Sequence, residues 1–99
     1  MATYILLSTL TPEGRKTIKD RPERISEVNK EIEQFGARVI SQHAVLGPYD
    51  FVTTIEAPSN EAVANLSAEL GSRGTIQMIS MPAFSVDNLV KSLKTSGKK

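Results

Sequence analysis

Cysteine is absent from the 99 residues of this chain. That excludes disulfides and thiolate metal sites, and a thiol-free chain is compatible with a reducing cytoplasm. Tryptophan is also missing, aromatic residues make up only 5%, and a single histidine is present. One histidine without cysteine offers no ligand spacing, so no metal is expected. Neither a Walker pattern nor GxGxxG occurs, so no cofactor is expected. Charge of one sign is lacking too. The net charge is +1, which draws neither polyanions nor anionic membranes. With few rings and no known motif, nucleic-acid binding is not expected. No long apolar run and no basic segment opens the chain, so neither a membrane span nor a signal peptide is expected.

What is present suits one small folded domain. Hydrophobic residues make up 39% and charged residues 23%, a globular balance. Domain 1–94 is expected to carry the fold, and 95–99 to be a flexible basic tail. Residues 3–10 read as a first strand. Ile5, Leu6 and Leu7 are consecutive, so both strand faces are apolar. Pro12 and Gly14 then predict a long loop that carries Arg15, Lys16 and Lys19. Asp20 and Glu23 make a capping-box-like start for a helix with Ile25, Val28, Ile32 and Phe35 on one stripe. Gly36 is its left-handed stop.

Residues 37–46 predict a second strand, with Val39, Ser41, His43 and Val45 on one face. Gly47-Pro48 makes the turn into a third strand over 49–56. Ser59 is a cap for a second helix with Val63, Leu66 and Leu70 as its stripe. Residues 75–83 form a fourth strand, and Val86, Leu89, Val90 and Leu93 predict a short C-terminal helix. The order βαββαβ implies an α+β, ferredoxin-like sandwich with both helices on one sheet face. The other face is apolar as well, and a second copy of the chain is the simplest cover. A homodimer built as an α+β barrel is therefore expected.

Leu46-Gly47-x-Tyr49-Asp50-x-Val52 resembles the signature of the GYD-domain family. Leu10-Thr11-Pro12-Glu13-Gly14, then Thr17-Ile18-Lys19-Asp20-x-Pro22-x-Arg24, is similar to that family's first loop and helix start. Glu56-Ala57-Pro58 and Ala83-Phe84 also fit. The resemblance spans nearly the whole chain and implies the dimeric α+β barrel superfamily. That superfamily includes muconolactone isomerases, small monooxygenases and ligand-sensing domains of transcription regulators. Fold kinship carries no reaction across. His43-Ala44 stands where the family often has an aromatic residue. Thr75-Ile76-Gln77-Met78 stands where a run like Asn-Val-Arg-Thr is usual.

Three functions stay open. The first is a small-molecule binding module with a pocket between sheet and helices, taking a small, anionic ligand at Tyr4, Arg15, Lys19, His43 and Tyr49. The second is a cofactor-free isomerase or oxygenase with His43 as its acid or base. The third is a structural, assembly-forming protein. In the signature, alternation sends Tyr49 and Asp50 to opposite faces. Tyr49 is then the pocket candidate, while Gly47 and Asp50 are turn residues.

Overall fold

The computed structural model describes residues 1–96. The elements are β1 (Ala2–Leu10), α1 (Pro12–Asp20), α2 (Arg24–Gln34), β2 (Arg38–Ala44), β3 (Phe51–Ala57), α3 (Asn60–Gly71), β4 (Ile76–Ala83) and α4 (Val86–Ser96). The four strands form one sheet in the order β2-β3-β1-β4, antiparallel at every pairing. This is the expected ferredoxin-like α+β arrangement, with additional helices.

Residue alternation gives each sheet face its character. Tyr4 and Leu6 of β1, Ile55 and Ala57 of β3, and the stripe Val63, Leu66 and Leu70 of α3 are buried together with Ile32 of α2. Leu6, Ile55 and Leu66 are the largest fully buried side chains. Ser59 caps α3 by accepting from the Ala62 amide at 3.1 Å. Gly36 ends the α2 segment at φ +83, as the sequence indicates.

The opposite face of the sheet has a different cover. Pairing places Val52, Leu7 and Ile79 in one row across it, and Thr54, Ile5 and Met81 in the next. Ile79 and Met81 are 49% and 38% exposed. No described helix covers these rows. Helix α4 buries none of its residues, and Val86, Leu89, Val90 and Leu93 are all exposed.

Four local expectations are corrected. Residues 12–20 are helical, not a loop. Thr11 caps α1 by accepting from the Gly14 amide at 3.1 Å, and Pro12 occupies an early helical position. Pro there costs nothing, because its missing N–H would have no helical partner. Asp20 therefore ends α1 and does not open α2; Glu23 precedes α2 with no side-chain cap. The alternation along β2 also fails. The register shifts between Val39 and Ser41, so Val39 pairs with Ile55 while Ser41 pairs with Thr54. One extra residue puts Val39 and Ser41 on opposite faces. Finally, α4 runs to Ser96, through the first part of the expected tail. The remainder of that tail, 97–99, lies outside the described residues.

Candidate functional site

The turn between β2 and β3 organises one end of the molecule. Gly47 has φ +118, a conformation that L side chains rarely adopt. The chain then reverses, and the Val45 amide donates to the Asp50 carbonyl at 2.9 Å. The Asp50 amide donates to the Ser8 carbonyl at 2.8 Å. Its carboxylate accepts from the Leu10 amide at 2.8 Å and from Arg15 Nη2 at 3.4 Å. Asp50 thus ties the turn to the last residue of β1 and to α1.

The start of α1 is pinned from a second side. The Thr11 amide donates to the Thr75 carbonyl at 3.1 Å, and its hydroxyl to the Gly74 carbonyl at 2.9 Å. Gly14 packs so closely that a Cβ there would lie 2.0 Å from the Thr75 carbonyl oxygen. Only glycine allows this approach.

Held this way, α1 and α2 roof a cavity of about 110 Å³ over the sheet. Most of its wall is apolar, including Leu6, Val28, Ile32, Phe51 and Met78. Its floor is not. Ser8 and Thr53 are 5% and 3% exposed and both line it. Gln42 Nε2 donates to Thr53 Oγ1 at 3.1 Å and to Asn29 Oδ1 at 3.2 Å, while Asn29 Nδ2 returns a bond to Gln42 Oε1 at 2.9 Å.

Among the described residues, the only charged side chains on the wall are Arg24 and Arg73. Arg24 Nη1 lies 2.8 Å from Glu27 and 3.7 Å from Glu31. Arg73 Nη2 lies 2.5 Å from Glu31 and 3.2 Å from Glu69. Glu31 therefore bridges α2 to the segment after α3. The bond from Arg24 holds the Glu27 carboxyl below its ordinary value, against a smaller opposing effect of desolvation. Glu31, then Glu69, raise Arg73 further above the range in which it titrates, again against desolvation.

The five residues singled out from sequence do not converge. Tyr4 faces the helices, but it lies about 13 Å along β1 from Ser8. Its hydroxyl donates to Asn60 Oδ1 beside a second, more open hollow. Arg15 bonds Asp50 and is 60% exposed, and Lys19 is exposed near the far end of α1. Tyr49 is half-buried in the turn, ahead of β3. His43 is exposed on the outer sheet face opposite Val52, because the irregularity at Ile40 reverses the phase of β2. None of the five lines the cavity. Among the described residues, no group of three His, Cys, Asp or Glu side chains is placed to hold a metal ion.

The model of the GYD domain family matches residues 4–93. The chain belongs to the GYD domain family. A relative from Thermus thermophilus is 48% identical over 95 residues, covering 95% of this chain and all of that protein. It is named a glutamine synthetase and cystathionine beta-lyase binding protein. Two solved structures share the fold. One is TTHA0845 from Thermus thermophilus, with a TM-score of 0.55 and 20% identity, covering 86% of this chain and 95% of that one. The other is FFRP-DM1, with a TM-score of 0.60 and 19% identity, covering 85% of this chain and all of that one.

In this GYD domain the lettered residues have separate places. Gly47 supplies the positive φ and Asp50 the brace, while Tyr49 makes no hydrogen bond among the described residues. The cavity residues Ser8, Asn29, Gln42 and Thr53 carried no motif. One signal was available: Ser8 and Thr53 each interrupt an apolar strand face, between Leu6 and Leu10 and between Phe51 and Ile55. A polar side chain on a buried face needs a partner or a ligand.

Proposed function

We propose that this GYD domain is a protein-binding module, homodimeric through the open face of its sheet, that engages enzymes of amino-acid metabolism. The observation that carries the reading is the uncovered apolar surface. Two rows, Val52-Leu7-Ile79 and Ile5-Met81, have no described helix over them, Ile40 is exposed as well, and α4 adds the exposed stripe Val86, Leu89, Val90 and Leu93. Contiguous exposed apolar surface of this kind marks an interaction site. A second copy covers the sheet face, and α4 remains available to a partner of another sequence.

The Thermus relative supports the choice of partner. It matches along its entire length and is named for binding glutamine synthetase and cystathionine beta-lyase. The corresponding enzymes are the first partners to test, and we place the encounter in the cytoplasm. The test is biolayer interferometry with the immobilised full chain against each purified enzyme from the same source. Saturable binding by wild type, weakened by Leu93→Asp on α4, supports the reading. No binding to either enzyme removes the choice of partner.

A second reading rests on the cavity. A partly open, mainly apolar pocket with a polar floor is the form of a small-molecule site. The module then senses a metabolite while it binds its partners. The exposed setting of His43 on the outer face argues against the enzymatic alternative in a single chain. A dimer that closes over the sheet encloses His43, so the alternative passes to the assembled form.

A further inference from the structure

We infer that the cavity beneath α1 and α2 binds a small neutral molecule with an apolar body and one hydrogen-bond acceptor oxygen. This rests on the small-molecule reading above and names its ligand class.

Size sets the first limit. The cavity measures about 110 Å³, whereas a cavity of about 150 Å³ suits benzene. The enclosed part of the ligand therefore has about four or five heavy atoms.

The floor sets the polarity. Ser8 and Thr53 are almost fully buried, yet neither hydroxyl donates to a protein group among the described residues. Thr53 Oγ1 accepts from Gln42, which leaves its own proton free. The Asn29 and Gln42 amides are engaged with each other and with Thr53. What the floor offers is thus two O–H donors on neighbouring strands. An acceptor oxygen satisfies them, and a pure hydrocarbon leaves them unpaired.

The rim decides against an anion. Among the described residues Arg24 and Arg73 are the only cations on the wall, and three carboxylates, from Glu27, Glu31 and Glu69, already pair with them. A buried carboxylate would meet neutral donors on the floor and two guanidiniums that carboxylates already engage, Glu27 being shared with Arg21. Desolvation of that charge would go uncompensated. The ligand is therefore a ketone, aldehyde, ester or similar neutral carbonyl compound, and not the small anion that the basic residues of α1 suggest.

The test uses methyl NMR of the full chain, following Leu6, Val28 and Met78, which line the cavity. The probes are cyclopentanone, cyclopentane and cyclobutanecarboxylate. Cyclopentanone is expected to shift these methyls saturably. Cyclopentane is expected to bind about fivefold more weakly, the worth of one net hydrogen bond. The carboxylate is expected to bind weaker still. Ser8→Ala should weaken cyclopentanone about fivefold and should not weaken cyclopentane, which leaves that donor unpaired in the wild type. Thr53→Val provides a second deletion of a donor. Equal affinity for cyclopentanone and cyclopentane, or no effect of either substitution, would overturn the role of the floor. Tighter binding of the carboxylate would overturn the ligand class while keeping the pocket. No saturable shift with any probe would remove both the class and the small-molecule reading.

Discussion

Replacing Asp50 with alanine tests how the turn is tied to the body. The carboxylate makes two contacts of unequal value. The bond from the Leu10 amide, at 2.8 Å, is partly buried, and the Asp50 side chain is 21% exposed. Its loss strands a backbone donor beside the cap of α1, which costs about 1–3 kcal/mol. The contact with Arg15 is 3.4 Å long, and that arginine is 60% exposed. Solvent screens it, so its loss costs about 0–1 kcal/mol. Asp50→Ala should therefore destabilise by about 2–3 kcal/mol. Arg15→Ala should stay below about 1 kcal/mol. Asp50→Asn keeps an acceptor for the Leu10 amide and should fall between them. Urea unfolding at one fixed protein concentration measures all three, since self-association shifts apparent stability. Asp50→Ala and Arg15→Ala of equal cost would refute the reasoning, because the brace would then act through the surface ion pair alone.

Gly14→Ala should destabilise by about 1–3 kcal/mol or more, since its Cβ would collide with the Thr75 carbonyl oxygen; thermal unfolding checks this, and an unchanged midpoint would contradict the close packing. The Arg24–Glu27 pair gives a pH effect of known sign. Glu27 is held below its ordinary 4.5 in the folded chain. Its contribution is fully present above that value and is lost as pH falls through the lower, folded one. Urea midpoints at pH 6 and pH 3 should differ less in Glu27→Gln than in wild type; equal differences would show that the pair does not stabilise the fold. Val90→Asp on α4 should leave the unfolding of the domain almost unchanged, because that side chain is 42% exposed and α4 buries nothing. A large loss of stability at low protein concentration would mean that α4 packs on its own domain.

The sandwich was legible because its apolar periods are clean. The Val63, Leu66 and Leu70 stripe and the alternation of β4 each admit one reading. Thr11-Pro12-Glu13 was equally informative and easy to misread. Proline ends the strand before it, yet at an early helical position it also begins a helix. Asp20 and Glu23 imitate a capping box, but α1 is still running at Asp20. The slip at Ile40 leaves no mark in residue types, since its neighbours Val39 and Ser41 fit either phase of a strand; the face of His43 followed from that slip. The candidate site was hidden for a different reason. Tyr, Arg, Lys and His attract notice by chemistry, whereas Ser8 and Thr53 matter through where they are buried. Only the pairing of β1 with β3 and of β3 with β2 brings Ser8, Thr53 and Gln42 to one floor.

The central claim is that the open sheet face is an interface, first with a second copy of the chain. Sedimentation velocity of the wild-type chain at micromolar concentration, beside Ile79→Asp, measures it directly. Ile79 sits in the row with Leu7 and Val52, 49% exposed, so the substitution places a charge in the proposed interface without disturbing the core. The account predicts a dimer or larger oligomer for wild type and a folded monomer for the variant. A wild-type chain that sediments as a monomer would contradict it.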